Sequence, residues 1–373
     1  MLNHKSNPDL SVHDLKPVTR QICDGNLQNE WSVTPIGDSI GRGTLGIYRV
    51  TGTSLTPVGD INSWSIVLKI VDIEKDFDGL REYQLSLSSS LRSIANGIRP
   101  AVCYGTQIRP EGERWIWFED LTHTLQTPWS DSVYLNVARD VGKFHASSLS
   151  GFSKDEWDYN GIHGAVIAPW GLAEILENLD QVTSNSLAAI MFSQTNVDTV
   201  GSLLAKHQEV ATELKKISTV LAHNDCHAAN LFPIERDGVH QHTVAIDWAT
   251  VGLGPLGEDA GDLIADAIKN FHLDSANILE LEESFFSSYV DGLMVHNSYV
   301  NLDHARTGYL AGMGYWGLCK MMMIANATQN VAGYQEIVEQ RTGQPAEQVM
   351  DRHGSTVARL IPYAIECVQR LGL

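Results

Sequence analysis

The chain has 373 residues, of which 43% are hydrophobic and 19% are charged. This composition is typical of globular proteins and excludes a disordered or coiled-coil chain, and the length predicts two domains or one large bilobal unit. There are 26 lysines and arginines against 45 aspartates and glutamates, a net charge of −19. Such a balance argues against a nucleic-acid binder, which has to neutralise phosphates. It would favour a cationic partner, and a solvated acidic surface is the alternative.

The cysteines and the N-terminal segment indicate the cellular compartment in which the protein resides. The five cysteines are scattered and odd in number, a pattern that fits free thiols in a reducing cytosol. The first ten residues lack the basic and then apolar pattern of a signal peptide. No apolar run approaches the ~20 residues that cross a bilayer. We therefore expect a cytoplasmic protein without a membrane partner.

The first 120 residues are predicted to be mainly strands. Residues 1–25 are polar and form a leader that is either flexible or packed on the lobe that follows. Alternating and β-branched segments predict strands, and one stretch of helical spacing interrupts them. The predicted strands are 30–36, 47–52, 63–71, 101–107 and 114–121, and the predicted helix is 76–94.

After residue 120 helices dominate, with apolar residues at helical spacing in 134–149 and 303–328. The exception is the stretch 219–252, where two strand-like pieces, LFPI and HTVAIDW, flank a turn at Asp237–Gly238. The sequence thus predicts an α+β fold. A β-rich N-terminal lobe (26–120) is followed by a hinge near 119–124 and a mostly helical C-terminal lobe (121–373).

One short stretch combines residues that suit phosphoryl transfer. Asp225 and Asn230 are five residues apart in the sequence HNDCHAAN, and Asp247 follows in AIDW. A hairpin between them would bring the three side chains to one end. One carboxylate could orient a hydroxyl and accept its proton. The other carboxylate and the amide oxygen are ligands that Mg²⁺ prefers, as phosphoryl transfer requires.

The chain resembles the aminoglycoside phosphotransferase and choline kinase group of the protein-kinase-like fold in two segments, HNDCHAAN and the AIDWA that follows it. The resemblance covers roughly residues 30–265. It implies a bilobal fold, Asp225 as the catalytic base, and Asn230 and Asp247 as magnesium ligands. His227 favours this small-molecule group over protein kinases. Only twelve residues separate Asp247 from Asp259, too few for the activation segment of a protein kinase.

The N-terminal lobe contains a glycine-rich loop with the pattern G-x-G-x-x-G. A strand follows it rather than a helix, which indicates a hairpin covering phosphates and not a dinucleotide fingerprint. An ordinary glycine-rich hairpin is the alternative. The residues predicted to cover the phosphates are Gly41, Gly43, Thr44 and Gly46.

Lys69 interrupts an otherwise apolar strand, and a buried lysine needs a partner. Glu82 in the following helix is the natural partner, and a solvent-facing lysine is the alternative. The resemblance implies that Lys69 binds the inner phosphates of ATP or GTP and that Glu82 orients it. It also implies that backbone groups around Glu119 and Leu121 bind the purine edge.

Several neighbouring residues are interpreted as structural. His223 is expected to pack within the 223–230 loop, His227 to support it, and Cys226 to be buried. By resemblance, either Asp259 or Asp262 braces this loop. Gly252, Gly254 and Gly257 are predicted to be turn residues. The candidates for contacting a cationic acceptor are Asp155, Glu156, Asp158, Glu258 and Asp262, each with a solvated surface charge as its alternative.

The sequence therefore predicts a small-molecule kinase that uses ATP or GTP and Mg²⁺. The acceptor is either an aminoglycoside or other antibiotic, or a metabolite such as an amino alcohol, a sugar or a nucleoside-like molecule. A catalytically dead nucleotide-binding scaffold is the third interpretation. Motifs do not separate the first two, because specificity lies in the acceptor pocket.

Overall fold

The structure is a computed structural model. It describes residues 7–23, 25–36, 43–72, 77–88, 96–124, 126–149, 157, 160–193, 197–295 and 299–373. Four of the residues singled out in the sequence lie outside these ranges, namely Gly41, Asp155, Glu156 and Asp158.

The strands of the described chain mostly extend the predicted ones by a few residues. They are β1 (Asn26–Pro35), β2 (Thr44–Leu55), β3 (Ile61–Asp72), β4 (Ile98–Pro100), β5 (Cys103–Ile108), β6 (Glu113–Glu119), β7 (Thr219–Ala222), β8 (Leu231–Arg236), β9 (Val239–Ala245) and β10 (Gly252–Pro255). Gly252 and Gly254 thus lie in a strand, and their prediction as turn residues is wrong. Gly257 does have a left-handed backbone, with φ 102°.

The helices of the described chain follow the predicted division. They are α1 (Val12–Thr19), α2 (Phe77–Leu87), α3 (Asp131–Leu149), α4 (Leu172–Glu177), α5 (Leu179–Ser184), α6 (Ser186–Met191), α7 (Val197–Leu204), α8 (His207–Leu214), α9 (Glu258–Lys269), α10 (Ile278–Met294), α11 (Leu302–Leu310), α12 (Gly317–Ala327), α13 (Val331–Thr342) and α14 (Ala346–Arg370). The helix predicted over 303–328 consists of α11 and α12 joined by a π-helical segment, Ala311–Trp316. In the described ranges no helix is both long and apolar enough to cross a membrane.

The chain divides into two compact units. Unit 1 comprises the described residues within Met1–Ala95, Arg99–Leu125 and Val244–Ala249, and unit 2 those within Asn96–Ile98, Gln126–Thr243 and Thr250–Leu373. Unit 1 is rich in strands and unit 2 in helices, so the predicted fold class is confirmed. Residues 244–249, which the sequence assigned to the C-terminal lobe, group with the N-terminal strands.

Unit 1 is built on a five-stranded antiparallel sheet in the order β1-β2-β3-β6-β5. Side chains alternate between the two faces of a sheet. One face carries Tyr48, Ile66 and Leu68, which form a buried apolar cluster with Leu15 and Val18 of α1. Helix α1 therefore packs on the sheet.

A polar contact fixes α1 at the same face. Asp14 of α1 forms an ion pair with Arg109, and the Arg109 guanidinium lies 3.9 Å from the centroid of the Trp115 ring. Gln107 also donates to the Asp14 carbonyl at 3.1 Å. The helix is thus held by apolar burial, an ion pair and a hydrogen bond.

In unit 2, helices α3 and α10 approach each other closely at Gly142. A Cβ at this position would overlap the carbonyl oxygen of Tyr289 and lie 2.9 Å from the backbone nitrogen of Leu293. Both of these groups belong to the backbone of α10 and cannot move aside as a flexible side chain would. The crossing therefore requires a glycine.

We expect Gly142→Ala to destabilise the protein by about 1–3 kcal/mol, because overpacking outweighs the better helix propensity of alanine. Thermal and urea unfolding would measure the loss. The matched control is Gly164→Ala, where the new Cβ comes no closer than 3.9 Å to Asn160, and which should be neutral or slightly stabilising. Equal stability of both variants and the wild type would contradict the close crossing.

Candidate active site

The 223–230 loop connects β7 to β8 and is fixed by its own backbone. It ends in a 3-10 turn over Ala228–Asn230, directly before β8. Asn224 has a left-handed backbone, with φ 61°, a conformation that asparagine tolerates better than most residues. Its Nδ2 donates to the Thr250 carbonyl at 3.0 Å, and the Thr250 hydroxyl donates to the His223 carbonyl at 2.9 Å.

Asp259, in the first turn of α9, braces this loop. Its carboxylate accepts hydrogen bonds from the backbone N–H groups of His223 at 2.7 Å and Asn224 at 2.9 Å. Nε2 of His145 lies 3.2 Å from the same carboxylate. Burial opposes ionisation of Asp259, but the interactions with His145 and His223 lower its pKa. Of the two aspartates that the sequence left open, Asp259 makes the bracing contact.

Asp262 has a different partner, the ammonium group of Lys320. Both residues are buried, as is Glu258. Glu258 accepts hydrogen bonds from Trp316 Nε1 at 2.6 Å and from the backbone N–H of Ile162 at 2.9 Å. Burial raises the pKa of Glu258 to about 8. Asp262 and Glu258, which were candidates for contacting an acceptor, thus lie in the interior of unit 2.

Asp225 and Asn230 lie together in unit 2. Nδ2 of Asn230 donates to both the carbonyl and Oδ2 of Asp225, each at 3.1 Å. Nε2 of His227 lies 3.4 Å from Oδ2 of Asp225. Burial would raise the pKa of Asp225, but His227, together with Lys320 and His223, lowers it well below its usual range. Asp225 is therefore an oriented carboxylate that can accept a proton.

Lys69, Glu82 and Asp247 lie together in unit 1. Nζ of Lys69 is 2.6 Å from Oε2 of Glu82 and 3.0 Å from Oδ1 of Asp247. Burial would lower the pKa of Lys69, but these two carboxylates raise it, so the lysine stays charged. The ion pair with Glu82 is the one that the sequence suggested for a buried lysine. The role of the pair in nucleotide binding remains a prediction.

Asp247 follows β9 rather than belonging to it, because the strand ends at Ala245. Its backbone is left-handed, with φ 58°, and strained conformations of this kind are common at functional sites. Its side chain is 41% exposed. The contact with Lys69 uses one carboxylate oxygen, so the other is open to a further partner.

Asn230 and Asp247 each carry an oxygen donor of the kind that Mg²⁺ prefers. Among the described residues, no group of three or more His, Cys, Asp or Glu side chains could hold a metal ion alone. Mg²⁺ is usually bound by one or two carboxylates together with substrate phosphates. Asp247 in unit 1 offers an exposed carboxylate, and Asn230 in unit 2 offers Oδ1, to which no described residue donates. Each residue thus has the donor chemistry of a magnesium ligand, and its role as one stays a prediction.

The predicted purine-binding segment follows β6. The Glu119 carboxylate accepts from Arg99 and from the backbone N–H of Val102 at 2.7 Å, so it is occupied within unit 1. Leu121 is buried. In the glycine-rich loop, Thr44 and Gly46 lie in β2, and Gly43 precedes it with φ 72°.

Sequence reasoning missed two buried ionic contacts. Lys320 lies in an apolar helix, and the argument used for Lys69 in its apolar strand could have found it. Asp140 of α3 accepts from Lys143, His240 and the Thr243 hydroxyl at 2.7–2.9 Å, which joins α3 to β9. No local pattern marks the contact with β9, because His240 and Thr243 are about a hundred residues from Asp140.

Solved structures share this fold. No protein-family profile and no curated protein matches the sequence. An aminoglycoside phosphotransferase from Alicyclobacillus acidocaldarius subsp. acidocaldarius is similar over 100% of this chain and 99% of its own, with a TM-score of 0.54 and 11% identity. The amicoumacin kinase hAmiN, solved with AMP-PNP, Ca²⁺ and Ami, is similar over 90% of this chain and 97% of its own, with a TM-score of 0.51 and 15% identity. The chain therefore has the fold of these phosphotransferases.

We expect Asp259→Asn to destabilise the protein by about 2–5 kcal/mol, because the amide has one acceptor oxygen where the carboxylate uses two, and its NH2 group would face a backbone N–H. Hydrogen exchange should show faster exchange at the amides of His223 and Asn224. Asp180→Asn, an exposed substitution in the first turn of α5, is the matched control. Unchanged protection in Asp259→Asn would contradict the bracing role.

The raised pKa of Glu258 predicts a pH dependence of stability. The unfolded carboxyl loses its proton near pH 4.5 and the folded one near pH 8. Between these values the folded state binds more protons, so the free energy of unfolding falls as pH rises, by at most about 1.4 kcal/mol per pH unit. Urea unfolding between pH 5 and 8 should show a flatter profile for Glu258→Gln. A profile parallel to that of the exposed control, Glu283→Gln, would contradict the assignment.

Proposed function

We propose that the protein is a member of the aminoglycoside phosphotransferase and choline kinase group, and that it transfers the γ-phosphoryl group of ATP or GTP to a hydroxyl of a small molecule. The observation that carries this proposal is the contact of Lys69 with Glu82 and Asp247. A buried lysine paired with a glutamate and set beside an exposed aspartate is the arrangement that kinases use to hold nucleotide phosphates. The shared fold supports the same conclusion.

The proposed chemistry assigns separate tasks to the two units. In unit 2, Asp225 orients the acceptor hydroxyl and accepts its proton, while Asn230 and His227 restrain the carboxylate. In unit 1, Lys69 binds the inner phosphate oxygens. Bound Mg²⁺, with Asn230 and Asp247 as protein ligands, would neutralise charge on the phosphates.

The remaining contacts of the nucleotide would come from backbone groups. The loop with Gly41, Gly43, Thr44 and Gly46 would cover the phosphates, and Glu119 and Leu121 would bind the purine edge through their backbone. Because the Glu119 carboxylate is already bonded to Arg99, its side chain is not needed for the base.

The acceptor is proposed to be an antibiotic with cationic groups, such as an aminoglycoside. The two solved structures described above are named as an amicoumacin kinase and an aminoglycoside phosphotransferase. A net charge of −19 also favours a cationic ligand. The cytoplasm is proposed as the place of action, because the described cysteines form no disulfide bond, as is usual in a reducing compartment.

A coupled ADP- or GDP-release assay with Mg²⁺ tests the proposal. The panel contains aminoglycosides, other hydroxylated antibiotics, amino alcohols, sugars and nucleosides. Turnover with an antibiotic supports the proposed acceptor, and turnover only with a metabolite replaces it by a metabolic kinase. Nucleotide binding with no turnover across the panel favours the scaffold interpretation.

We expect Asp225→Asn to lower kcat by about 10²–10⁴, because the amide cannot accept the proton of the acceptor. Nucleotide affinity, measured by calorimetry, should be unchanged. The matched control is Asp237→Asn, in the exposed turn between β8 and β9, where asparagine tolerates the same left-handed backbone. Turnover of Asp225→Asn at the level of the wild type would show that the role assigned to Asp225 is wrong.

A further inference from the structure

An ion pair between Arg49 and Asp120 crosses the sheet of unit 1 on the face that carries Lys69. Arg49 of β2 lies opposite Val67 of β3, and Ile47 lies opposite Lys69. Strand β3 separates β2 from β6, and Asp120 follows β6. Nε of Arg49 is nevertheless 3.2 Å from Oδ2 of Asp120. The Arg49 side chain must therefore reach across β3, a span of about 10 Å between the outer strands.

Asp120 is a rigid anchor for this arginine. Its carboxylate accepts from the Ser65 hydroxyl and from the backbone N–H and hydroxyl of Thr122, the latter two at 3.0 and 2.8 Å. Only 9% of its side chain is exposed, against 31% for Arg49. Burial would raise the pKa of Asp120, but the bonds from Ser65 and Thr122 and the charge of Arg49 lower it. The guanidinium is thus fixed while part of it stays accessible.

The residues beside Arg49 form an apolar surface. Val67 lies opposite Phe118 of β6, and both side chains are only half-buried. Lys69 is two residues from Val67, about 7 Å along the strand. Glu119 and Leu121, which would bind the purine edge, come directly after Phe118. Val67, Phe118 and Arg49 therefore lie on the face of the sheet between the predicted phosphate and purine contacts.

We propose that Arg49 binds the nucleotide base, by stacking its guanidinium plane on the purine ring, and that Asp120 is the positioning residue that holds this plane. The inference rests on the proposed function, because it takes the phosphates to be at Lys69. A planar guanidinium stacks well on aromatic faces. A phosphate contact is disfavoured because Arg49 lies one row of side chains away from Lys69 and its charge is paired with Asp120.

Calorimetry with three Mg²⁺-loaded probes tests the inference on Arg49→Met, which removes the guanidinium but keeps an apolar side chain. The probes are ATP, 2′,3′-dideoxy-ATP and tripolyphosphate. We expect the affinity for both nucleotides to fall by about 3- to 30-fold, the range of cation–π contacts. The affinity for tripolyphosphate should stay unchanged. Arg20→Met, which removes an exposed charge at the end of α1, should alter none of the three.

Other results would overturn the inference. A matching loss of affinity for tripolyphosphate would mean that Arg49 binds the phosphates. A loss of affinity for ATP but not for dideoxy-ATP would mean that it binds the ribose. Unchanged or higher nucleotide affinity would mean that Arg49 does not bind the base. If the wild type binds no nucleotide, the proposed function itself fails, whereas wild-type binding with an unaffected variant refutes the stacking alone.

Two further variants keep the test valid if Arg49→Met does not fold, as judged by near-ultraviolet circular dichroism. Arg49→Lys keeps the charge but lacks the plane, so both nucleotides should lose affinity while tripolyphosphate does not. Asp120→Asn keeps Arg49 but weakens its ion pair. For both nucleotides we expect a smaller loss of affinity than in Arg49→Met. Full nucleotide affinity in both variants would overturn the proposal.

Discussion

The bond between the Asp259 carboxylate and the backbone of the 223–230 loop is the contact on which the candidate site of unit 2 depends. Its acceptors are buried carboxylate oxygens and its donors are main-chain N–H groups, so this contact itself does not depend on the side chains of the loop. Asp259 lies in the first turn of α9, where the helix dipole favours a negative charge. The orientation of Asp225, one residue further along, follows from this anchor.

The same anchor connects distant parts of unit 2. His145 of α3 contacts Asp259 through one ring nitrogen and Tyr289 of α10 through the other, at 2.9 Å. The close crossing of α3 and α10 at Gly142 therefore sets the position of a group that touches the loop brace. Packing between helices and the geometry of the loop are thus parts of one buried network. A buried polar group of such a network that is left without a hydrogen bond destabilises the fold.

Local chemistry made much of the site predictable. A single lysine in an apolar strand requires a partner, and the Asp and Asn of one short loop are near enough in sequence for a turn to bring them together. The choice between Asp259 and Asp262 could not be made in this way, because residues three apart share one helix face. Only the tertiary contacts separate them: one aspartate meets backbone N–H groups and the other meets Lys320.

Features that depend on strand register or on distant contacts could not be predicted from the sequence. The reach of Arg49 to Asp120 requires the order of three strands, and the joining of α3 to β9 by Asp140 involves residues about a hundred positions apart. Helix α1 was not predicted for a different reason. It is short and mostly polar, and its two inward side chains, Leu15 and Val18, carry little periodicity on their own.

Helix α1 has a practical consequence for how this protein is handled. It covers an aromatic and aliphatic face of the sheet that includes Tyr48, Trp64 and Trp115. A shortened form starting after residue 25 would leave this face open to water, and large exposed apolar patches lead to self-association. Proteolytic trimming of the first 25 residues should therefore be avoided in preparing the protein.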